Sequence, residues 1–345
     1  MLRHRSVRYP VFVLVSLLTA CGGGGGGAAP SAPQPIISSA PGPVQTPTPT
    51  PSPGGPSPAP ANWNDEVFVS NSSANSVTIY RAGTNGNAGP GATIFGTNTN
   101  LSAPQGIAVD AACNVYVSNS PGTNGGITVY GGSLGNVAPV RTLANVSAYG
   151  LFADNARSVL YAAEPFALQV DAYALGVSVP NTPLRQITWP AMGQPYGVAV
   201  DSAGNLYVAD RDGEVFEYGP AANGQTTPIS TIVGNATQLS SPSAIALDAH
   251  NDIYVVNGGT NTVTVYSAGA QGDIAPISTI GTPSGTITGI ATDSTGYIFL
   301  SVSAAGGGAI YAIAPGSAGT SSITGSVTGL DGPTALAIAP PPSCS

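Results

Sequence analysis

Histidine and lysine, the side chains that most often carry acid–base and covalent catalysis, are scarce in this chain of 345 residues. It has two histidines, His4 and His250, and no lysine. A zinc or iron site built on several histidines is therefore excluded by number, and Schiff-base chemistry is excluded by the lack of lysine. A Ser-His-Asp triad would need His250, which falls in a turn between two predicted strands, so we expect a solvated turn residue.

The first of the three cysteines follows a segment typical of export signals. Three arginines among the first eight residues precede an apolar run at 11–18 that is too short to span a bilayer. The run ends in Leu-Thr-Ala-Cys at 18–21, which resembles the lipobox of bacterial lipoproteins. The resemblance implies cleavage before Cys21 and lipidation of that cysteine, with palmitate among the acyl chains, and hence a membrane anchor without a transmembrane helix. The alternative is an ordinary secretory signal followed by a chance cysteine.

Composition divides the chain into a signal peptide at 1–20, a tether at 21–62 and a folded domain at 63–345. The tether consists of a glycine run and Thr-Pro repeats with almost no aliphatic side chains, so we predict that it is disordered. Glycine rather than aspartate after Cys21 implies, by resemblance to Gram-negative sorting, an outer-membrane location in the cell envelope. Cleavage leaves five arginines against 16 acidic residues, a balance that argues against binding nucleic acid or an anionic membrane surface.

One five-residue sequence motif recurs through the folded domain. Gly-Ile-Ala-Val-Asp at 106–110 returns in altered form at 150–154, 197–201, 244–248 and 289–293, so the final residues lie 44 to 47 positions apart. Each copy is followed by a second apolar run, a third that often ends in tyrosine, and a fourth after a proline. Four short β-rich runs separated by turn residues predict a four-stranded antiparallel blade, and the period is typical of β-propellers.

The two ends of the repeat complement each other. The N-terminal copy begins at its second strand, at 67–69, whereas the C-terminus supplies an extra first strand at 335–339. A blade shared by the two ends would close the ring and leave no unpaired sheet edge. We therefore predict an all-β, monomeric, six-bladed β-propeller of four-stranded antiparallel blades, closed by a C-terminal strand that completes the N-terminal blade.

The copy at 195–210, Pro-Tyr-Gly-Val-Ala-Val-Asp-Ser-Ala-Gly-Asn-Leu-Tyr-Val-Ala-Asp, resembles the core of the NHL-repeat propellers. The resemblance covers about residues 64–340, and the other five copies depart from it to varying degrees. We interpret the aspartate that ends each first strand as a turn residue that accepts backbone N–H bonds, rather than as part of a carboxylate ring. In the last copy Ala339 takes its place.

The NHL resemblance implies a ligand site at the mouth of the central channel, where the chain enters each first strand and leaves each second strand. The entering positions are Gln105, Tyr149, Tyr196, Ser243, Thr288 and Thr334. The leaving positions are Asn71, Asn119, Glu164, Asp210, Asn257 and Val302. Together they predict a small polar ring with two aromatic side chains.

Four of the leaving residues suggest a metal site. Glu164, Asp210, Asn119 and Asn257 offer the oxygen ligands that Ca²⁺ prefers. The lactonase relatives among six-bladed propellers hold a divalent metal with such sets, so the resemblance implies a metal-dependent hydrolase as one alternative. The other alternative is that Asn, Asp and Glu at these positions cap turns at strand ends and that the protein has no cofactor.

The remaining cysteines, Cys113 and Cys344, form an even pair in an exported domain, where disulfides persist. Cys113 lies in the turn after the first strand of blade two, and Cys344 lies five residues beyond the end of the first strand of blade one. In a closed ring these strands are neighbours that run toward the same face. We therefore predict a disulfide between them.

These observations favour a binding or scaffold module that a lipid anchor displays in the cell envelope, with an envelope protein or glycan as its partner. Two other functions stay open: the lactonase-like hydrolase, and a spacer role without a small ligand. The sequence offers no catalytic set, so no catalytic residue is assigned.

Overall fold

The computed structural model describes residues 65–81, 83–120, 125–281, 284–315, 320–324, 328–339 and 344. The predicted signal peptide and tether, including Cys21, lie outside these residues. Within the described ranges, no helix is long and apolar enough to cross a membrane.

The first three blades are built from short runs of β-branched and aromatic residues that end at Gly, Asn or Asp turns. Blade one contains β1 (Glu66–Asn71), β2 (Ser76–Tyr80) and β3 (Ala92–Ile94). Blade two contains β4 (Pro104–Val109), β5 (Asn114–Asn119), β6 (Gly126–Gly131) and β7 (Arg141–Ala144). Blade three contains β8 (Gly150–Asp154), β9 (Val159–Glu164), β10 (Gln169–Ala174) and β11 (Arg185–Thr188).

The other three blades repeat this order. Blade four contains β12 (Pro195–Val200), β13 (Leu206–Asp210), β14 (Glu214–Tyr218) and β16 (Ser230–Ile232). Between β14 and β16, the short strand β15 (Gly224–Gln225) pairs parallel with β11 and adds a fifth strand to blade three. A 3-10 helix (Asn235–Thr237) leads to blade five, with β17 (Pro242–Leu247), β18 (Ile253–Asn257), β19 (Thr262–Tyr266) and β20 (Ser278–Gly281). Blade six contains β21 (Thr286–Thr292), β22 (Ile298–Ala304), β23 (Gly307–Ile313) and β24 (Thr320–Thr324), and β25 (Pro333–Ala339) follows it.

The ring closes through a blade that both ends of the chain share. Strand β25 pairs antiparallel with β1, from Glu66 opposite Ala339 to Asn71 opposite Pro333, so blade one has the order β25-β1-β2-β3. The innermost strands β25, β4, β8, β12, β17 and β21 contact one another in succession around the channel. The predicted six-bladed β-propeller, closed by its C-terminal strand, is confirmed.

A disulfide joins the closing tail to blade two. Cys113 and Cys344 are bonded, with their Cα atoms 5.3 Å apart, as predicted. Cys113 adopts a positive φ of 62°, in a turn where Gly204 and Gly296 stand at the equivalent positions. Glycine takes this conformation without steric cost, so the bridge, and not the turn, explains a cysteine here. The backbone N–H of Cys344 also donates to Glu66 Oε2 at 2.6 Å, which ties the tail to β1.

The repeated aspartates act as turn residues, as the sequence indicated. Asp110 Oδ1 accepts the backbone N–H groups of Ala112 and Asn114, and its Oδ2 accepts the Tyr116 hydroxyl. The same bonds to the residues two and four positions later recur at Asp248 and Asp293. His250 lies in one of these turns with its side chain 87% exposed, which confirms that it is a solvated turn residue.

Buried tyrosines join each of three blades to the loop that precedes it. Tyr80 and Tyr266 end third strands, Tyr130 is the last residue but one of the third strand β6, and each is at most 1% exposed. Their hydroxyls donate to the backbone carbonyls of Thr328, Thr99 and Thr237, respectively. A buried phenol needs such a partner, so these bonds fix the loops that lead into the first strands.

Candidate ligand site at the channel mouth

A cavity of about 360 Å³ opens at the end of the channel where the first strands begin. All six predicted entering residues line it: Gln105, Tyr149, Tyr196, Ser243, Thr288 and Thr334. Its floor is a ring of aliphatic side chains: Ile107, Leu151, Val198, Ile245, Ile290 and Leu336. The same aliphatic ring lines a second cavity of about 260 Å³ further along the strands. The mouth cavity is therefore a polar bowl with an apolar base.

β-Bulges place the mouth side chains. Strands β4, β12, β17 and β25 begin with a proline, which pairs with the last residue of the neighbouring second strand, and the register then shifts. The extra residue in three of these bulges is Tyr196, Ser243 or Thr334, and Thr288 occupies the same position in β21. A bulge redirects a side chain, and proline is tolerated as the first residue of a strand. The Pro-x-Gly/Ala pattern thus builds the rim of the bowl.

Small residues directly after the mouth positions allow the first strands to approach one another. A Cβ on Gly106 would lie within 3.0 Å of the Tyr149 carbonyl oxygen, and one on Gly150 would lie equally close to the Tyr196 carbonyl. Gly197 and Gly289 are similarly close to the backbone of the next blade. These contacts set the diameter of the ring on which the mouth side chains stand.

Buried serines of the second strands hold the mouth hydroxyls. Thr334 Oγ1 lies 3.0 Å from Ser70 Oγ, and Thr288 Oγ1 lies 3.0 Å from Ser301 Oγ. Ser118 accepts the backbone N–H of Gly106 at 2.7 Å in the equivalent place. All three serines are fully buried. Sequence reasoning missed this supporting layer, although the serines stand at matching positions in β1, β5 and β22.

An aromatic cluster stands on the rim at blades three and four. The rings of Tyr149 and Tyr196 lie 4.7 Å apart, and Phe166 meets Tyr149 edge-on at 6.0 Å. The Arg211 guanidinium lies over Tyr196, 4.8 Å from the ring centre, and donates to its hydroxyl at 2.7 Å. Phe166 is 68% exposed. Phe166 and Arg211 were not predicted, yet Arg211 directly follows the leaving position Asp210 and Phe166 lies two residues after Glu164, in the loops after β13 and β9.

The leaving asparagines point into their own blades. Asn71, Asn119 and Asn257 are fully buried, and none of them lines the mouth cavity. Each Oδ1 accepts a backbone N–H from the loop that enters the neighbouring first strand. Each Nδ2 donates to a threonine of the third strand: Thr78, Thr128 and Thr264. The predicted ring is therefore divided into an entering set at the cavity and a leaving set inside the blades.

Asp210, the leaving residue of blade four, also accepts backbone N–H groups, as the leaving asparagines do. It accepts the backbone N–H groups of Gly193, Gln194 and Asp212 at 2.9 to 3.0 Å, and burial raises its pKa. In the part of the chain that the structure describes, no group of three or more His, Cys, Asp or Glu side chains lies close enough to hold a metal ion. A Ca²⁺ site on Glu164, Asp210, Asn119 and Asn257 stays a prediction from the resemblance.

Glu164 and Asp171 replace the asparagine–threonine pair in blade three. Glu164 is 5% exposed and accepts the Ser147 N–H through Oε2. Burial first, and then the neighbouring Asp171 carboxyl, raise the pKa of Glu164 to about 8. When protonated, Glu164 can donate to Asp171 as the asparagines donate to threonine elsewhere.

Replacing Glu164 with glutamine is expected to flatten the pH dependence of stability. The wild-type contribution is fully present below the ordinary pKa of 4.5 and is lost as pH rises toward about 8, because the folded state holds a proton that the unfolded chain releases. Urea unfolding at pH 5, 7 and 9 should show a steeper fall in the free energy of unfolding for the wild type than for Glu164→Gln. The difference between the two proteins is the readout, because other buried carboxyls also titrate.

The double variant Glu164→Asn with Asp171→Thr is the matched control, since it restores the pair found in blades one, two and five. Its free energy of unfolding should vary with pH as little as that of Glu164→Gln. An identical pH slope in wild type and Glu164→Gln would show that Glu164 is already ionised in the folded protein.

No protein-family model and no curated protein matches the sequence. Solved structures match the fold. A protein of unknown function from Bacteroides caccae is 9% identical with a TM-score of 0.59, covering 80% of this chain and 99% of that one. A chain of the nidogen/laminin complex is 12% identical with a TM-score of 0.54, covering 80% of this chain and 98% of that one. A protein from Lactobacillus plantarum is 13% identical with a TM-score of 0.51, covering 80% of this chain and 99% of that one. At such identities the likeness shows the β-propeller fold alone.

Proposed function

We propose that this chain is an NHL-like binding module of the cell envelope, held at the outer membrane by lipid on Cys21, whose ligand occupies the channel mouth. The observation that carries the proposal is the bowl itself. Hydroxyl, amide and aromatic side chains from all six blades converge on it, and a concave site with a few convergent polar groups is the usual form of a ligand pocket.

The scaffold under the bowl supports a binding role. Five mouth residues lie near the start of a paired first strand, and Tyr149 directly precedes one. Bulges and buried serines restrict the orientation of several of them, such as Thr288 and Thr334. Preorganised side chains lose little conformational entropy when a ligand binds. The volume of about 360 Å³ lies in the range of small-ligand sites, so a short segment of a polymer or a small molecule would fit.

Filling the bowl tests the proposal. Immobilised wild-type protein is incubated with a solubilised envelope extract, alongside Ser243→Trp, whose indole would occupy the mouth. Ser278→Trp is the control, because Ser278 is exposed on the outer strand β20. We expect wild type and Ser278→Trp to retain the same envelope component and Ser243→Trp to retain little of it, with all three melting alike. Equal retention by all three proteins would refute a mouth ligand.

The lipid anchor has its own test. Cys21→Ser is expected to move the protein from the membrane pellet to the soluble periplasmic or external fraction, because acyl chains on Cys21 supply the proposed attachment. Salt-washed membranes from cells that express each form are compared by immunoblot. A Cys21→Ser protein that still sediments with washed membranes would contradict the anchor and leave the mouth site unaffected.

A further inference from the structure

We propose that the mouth ligand is an acidic saccharide, in which a sugar ring stacks on the Tyr149–Tyr196 pair and a carboxylate pairs with Arg211. The inference rests on the proposed function and names the chemical class of its ligand. Three features of the rim carry it: the aromatic cluster, one exposed arginine, and the ring of hydroxyl and amide groups.

The aromatic cluster provides a stacking surface. Tyr149 and Tyr196 are half-buried, and both line the cavity from adjacent blades. Phe166 extends the cluster outward, with 68% of its surface exposed. Half-buried aromatic rings beside a polar cavity suit a ligand with an apolar C–H face and a polar edge. A pyranose ring has that form.

Arg211 is the one arginine among the described residues that line this cavity, and its guanidinium bonds a mouth residue rather than the backbone of the blades. Arg141 donates to the carbonyls of Ala174, Gly176 and Pro180, and Arg157 pairs with Asp154. Arg211 bonds the Tyr196 hydroxyl and is exposed. The neighbouring Asp212 carboxylate lies against Gly193 instead.

The charge of Arg211 indicates that the ligand carries a negative group. Among the lining residues Arg211 alone is charged, in a chain whose formal net charge is −8. The surrounding protein therefore repels anions in general, and a single guanidinium at the rim selects a ligand that presents a carboxylate at that point. A densely anionic polymer such as a nucleic acid would need clustered cations.

The rest of the bowl offers groups that match sugar hydroxyls. Gln105, Ser243, Thr288 and Thr334 are half-buried around the cavity, and hydroxyl oxygens that already donate within the blade still have lone pairs to accept a bond. A saccharide would use both the stacking face and this ring.

Isothermal titration with defined saccharides tests the inference. The probes are trigalacturonate, its fully methyl-esterified counterpart and a hyaluronan tetrasaccharide. We expect wild type to bind at least one acidic probe, and the ester to bind about 10-fold more weakly or not at all, because it lacks the charge-assisted bond. Arg211→Gln should reduce acid binding by a similar factor and abolish the preference over the ester. Tyr196→Ala should abolish binding of all probes.

Two variants serve as controls. Arg81→Gln removes an exposed arginine that follows β2, at the end of the blade away from the mouth, and should bind like wild type. Tyr196→Phe keeps the ring but loses the hydroxyl that bonds Arg211, so it should bind the probes more weakly than wild type and more tightly than Tyr196→Ala. Melting curves accompany each variant and separate loss of the ring from misfolding.

The outcomes separate this inference from the proposed function. Equal affinity for the acid and the ester, or an unchanged preference in Arg211→Gln, would overturn the role of the carboxylate. Failure of wild type to bind any saccharide probe, with retention of an envelope protein that Ser243→Trp prevents, would overturn the saccharide and leave the mouth site intact. If Ser243→Trp also changes no retention, the proposed function itself fails.

Discussion

A chain that ends at residue 332 is expected to lose its cooperative unfolding transition. The truncation removes β25, which makes six residue pairs with β1 and contributes the buried Leu336 and Ala339 to the packing on both sides. It would leave β1 as an unpaired inner edge and open the ring between blades two and six. At about 1 kcal/mol per lost hydrogen bond, together with the lost burial of Leu336, the cost is comparable to the total stability of a typical domain, about 5–15 kcal/mol. Circular dichroism during thermal melting should show a broad, non-cooperative change.

A second truncation separates the effect of losing the strand from the effect of losing the disulfide. A chain that ends at Ala339 and carries Cys113→Ser keeps β25 but loses the bridge to Cys344. It should melt cooperatively at a lower temperature, because a cross-link that closes a loop of 231 residues contributes at most about 5 kcal/mol in the chain-entropy model. If the chain that ends at 332 melts like this longer form, the shared blade is not what closes the ring.

Gly106→Ala is expected to destabilise the protein by about 3 kcal/mol or more, although it adds one methyl group. The new Cβ would lie within 3.0 Å of the Tyr149 carbonyl oxygen, a backbone atom of the next blade. Neither strand can move away without widening the whole ring, since each inner strand touches two others. Chemical denaturation at constant pH gives the change in the free energy of unfolding.

Gly281→Ala is the matched control, because a Cβ at this position on β20 would meet no atom within 4 Å. It should change stability by less than about 1 kcal/mol. Equal effects of the two substitutions would show that the close approach of the first strands does not limit the diameter of the channel.

Much of the fold could be predicted because every blade repeats the same local signals. The period of 44 to 47 residues and the position of the missing first strand determined both the blade number and the site of closure. The disulfide followed from that closure, since it brings the turn at Cys113 beside the tail at Cys344. Local turn chemistry sufficed for the aspartates, whose bonds reach no further than six residues along the chain.

The site was predicted only in part, because side-chain direction depends on bulges and on longer-range partners. Asn119 and Gln105 lie at the same end of blade two, but the Asn119 amide is needed by the backbone of the entering loop, whereas the bulge turns Gln105 toward the cavity. A buried amide must satisfy its hydrogen bonds within the protein. The sequence pattern alone does not reveal which of two polar neighbours is buried and must make its hydrogen bonds within the protein.

Long-range partners also explain the residues that sequence reasoning missed. Arg211 belongs to the site because it hydrogen-bonds Tyr196, 15 positions earlier, and Ser70 belongs to it because it hydrogen-bonds Thr334, 264 positions later. The threonine carbonyls that accept the buried tyrosine hydroxyls lie up to 248 positions away from them in the sequence. Such contacts depend on the closed ring and could be inferred only once its register was known.

Tyrosine nitration tests most directly whether a ligand occupies the channel mouth. The protein is treated with tetranitromethane alone and with the envelope component that wild type retains, and nitration is quantified by peptide mass spectrometry. Tyr297, which is also half-buried but follows an aspartate turn at the opposite end of the blades, is the internal reference. We expect bound material to protect Tyr149 and Tyr196 from nitration and to leave the nitration of Tyr297 unchanged. Undiminished nitration of Tyr149 and Tyr196 in the presence of saturating ligand would contradict this expectation.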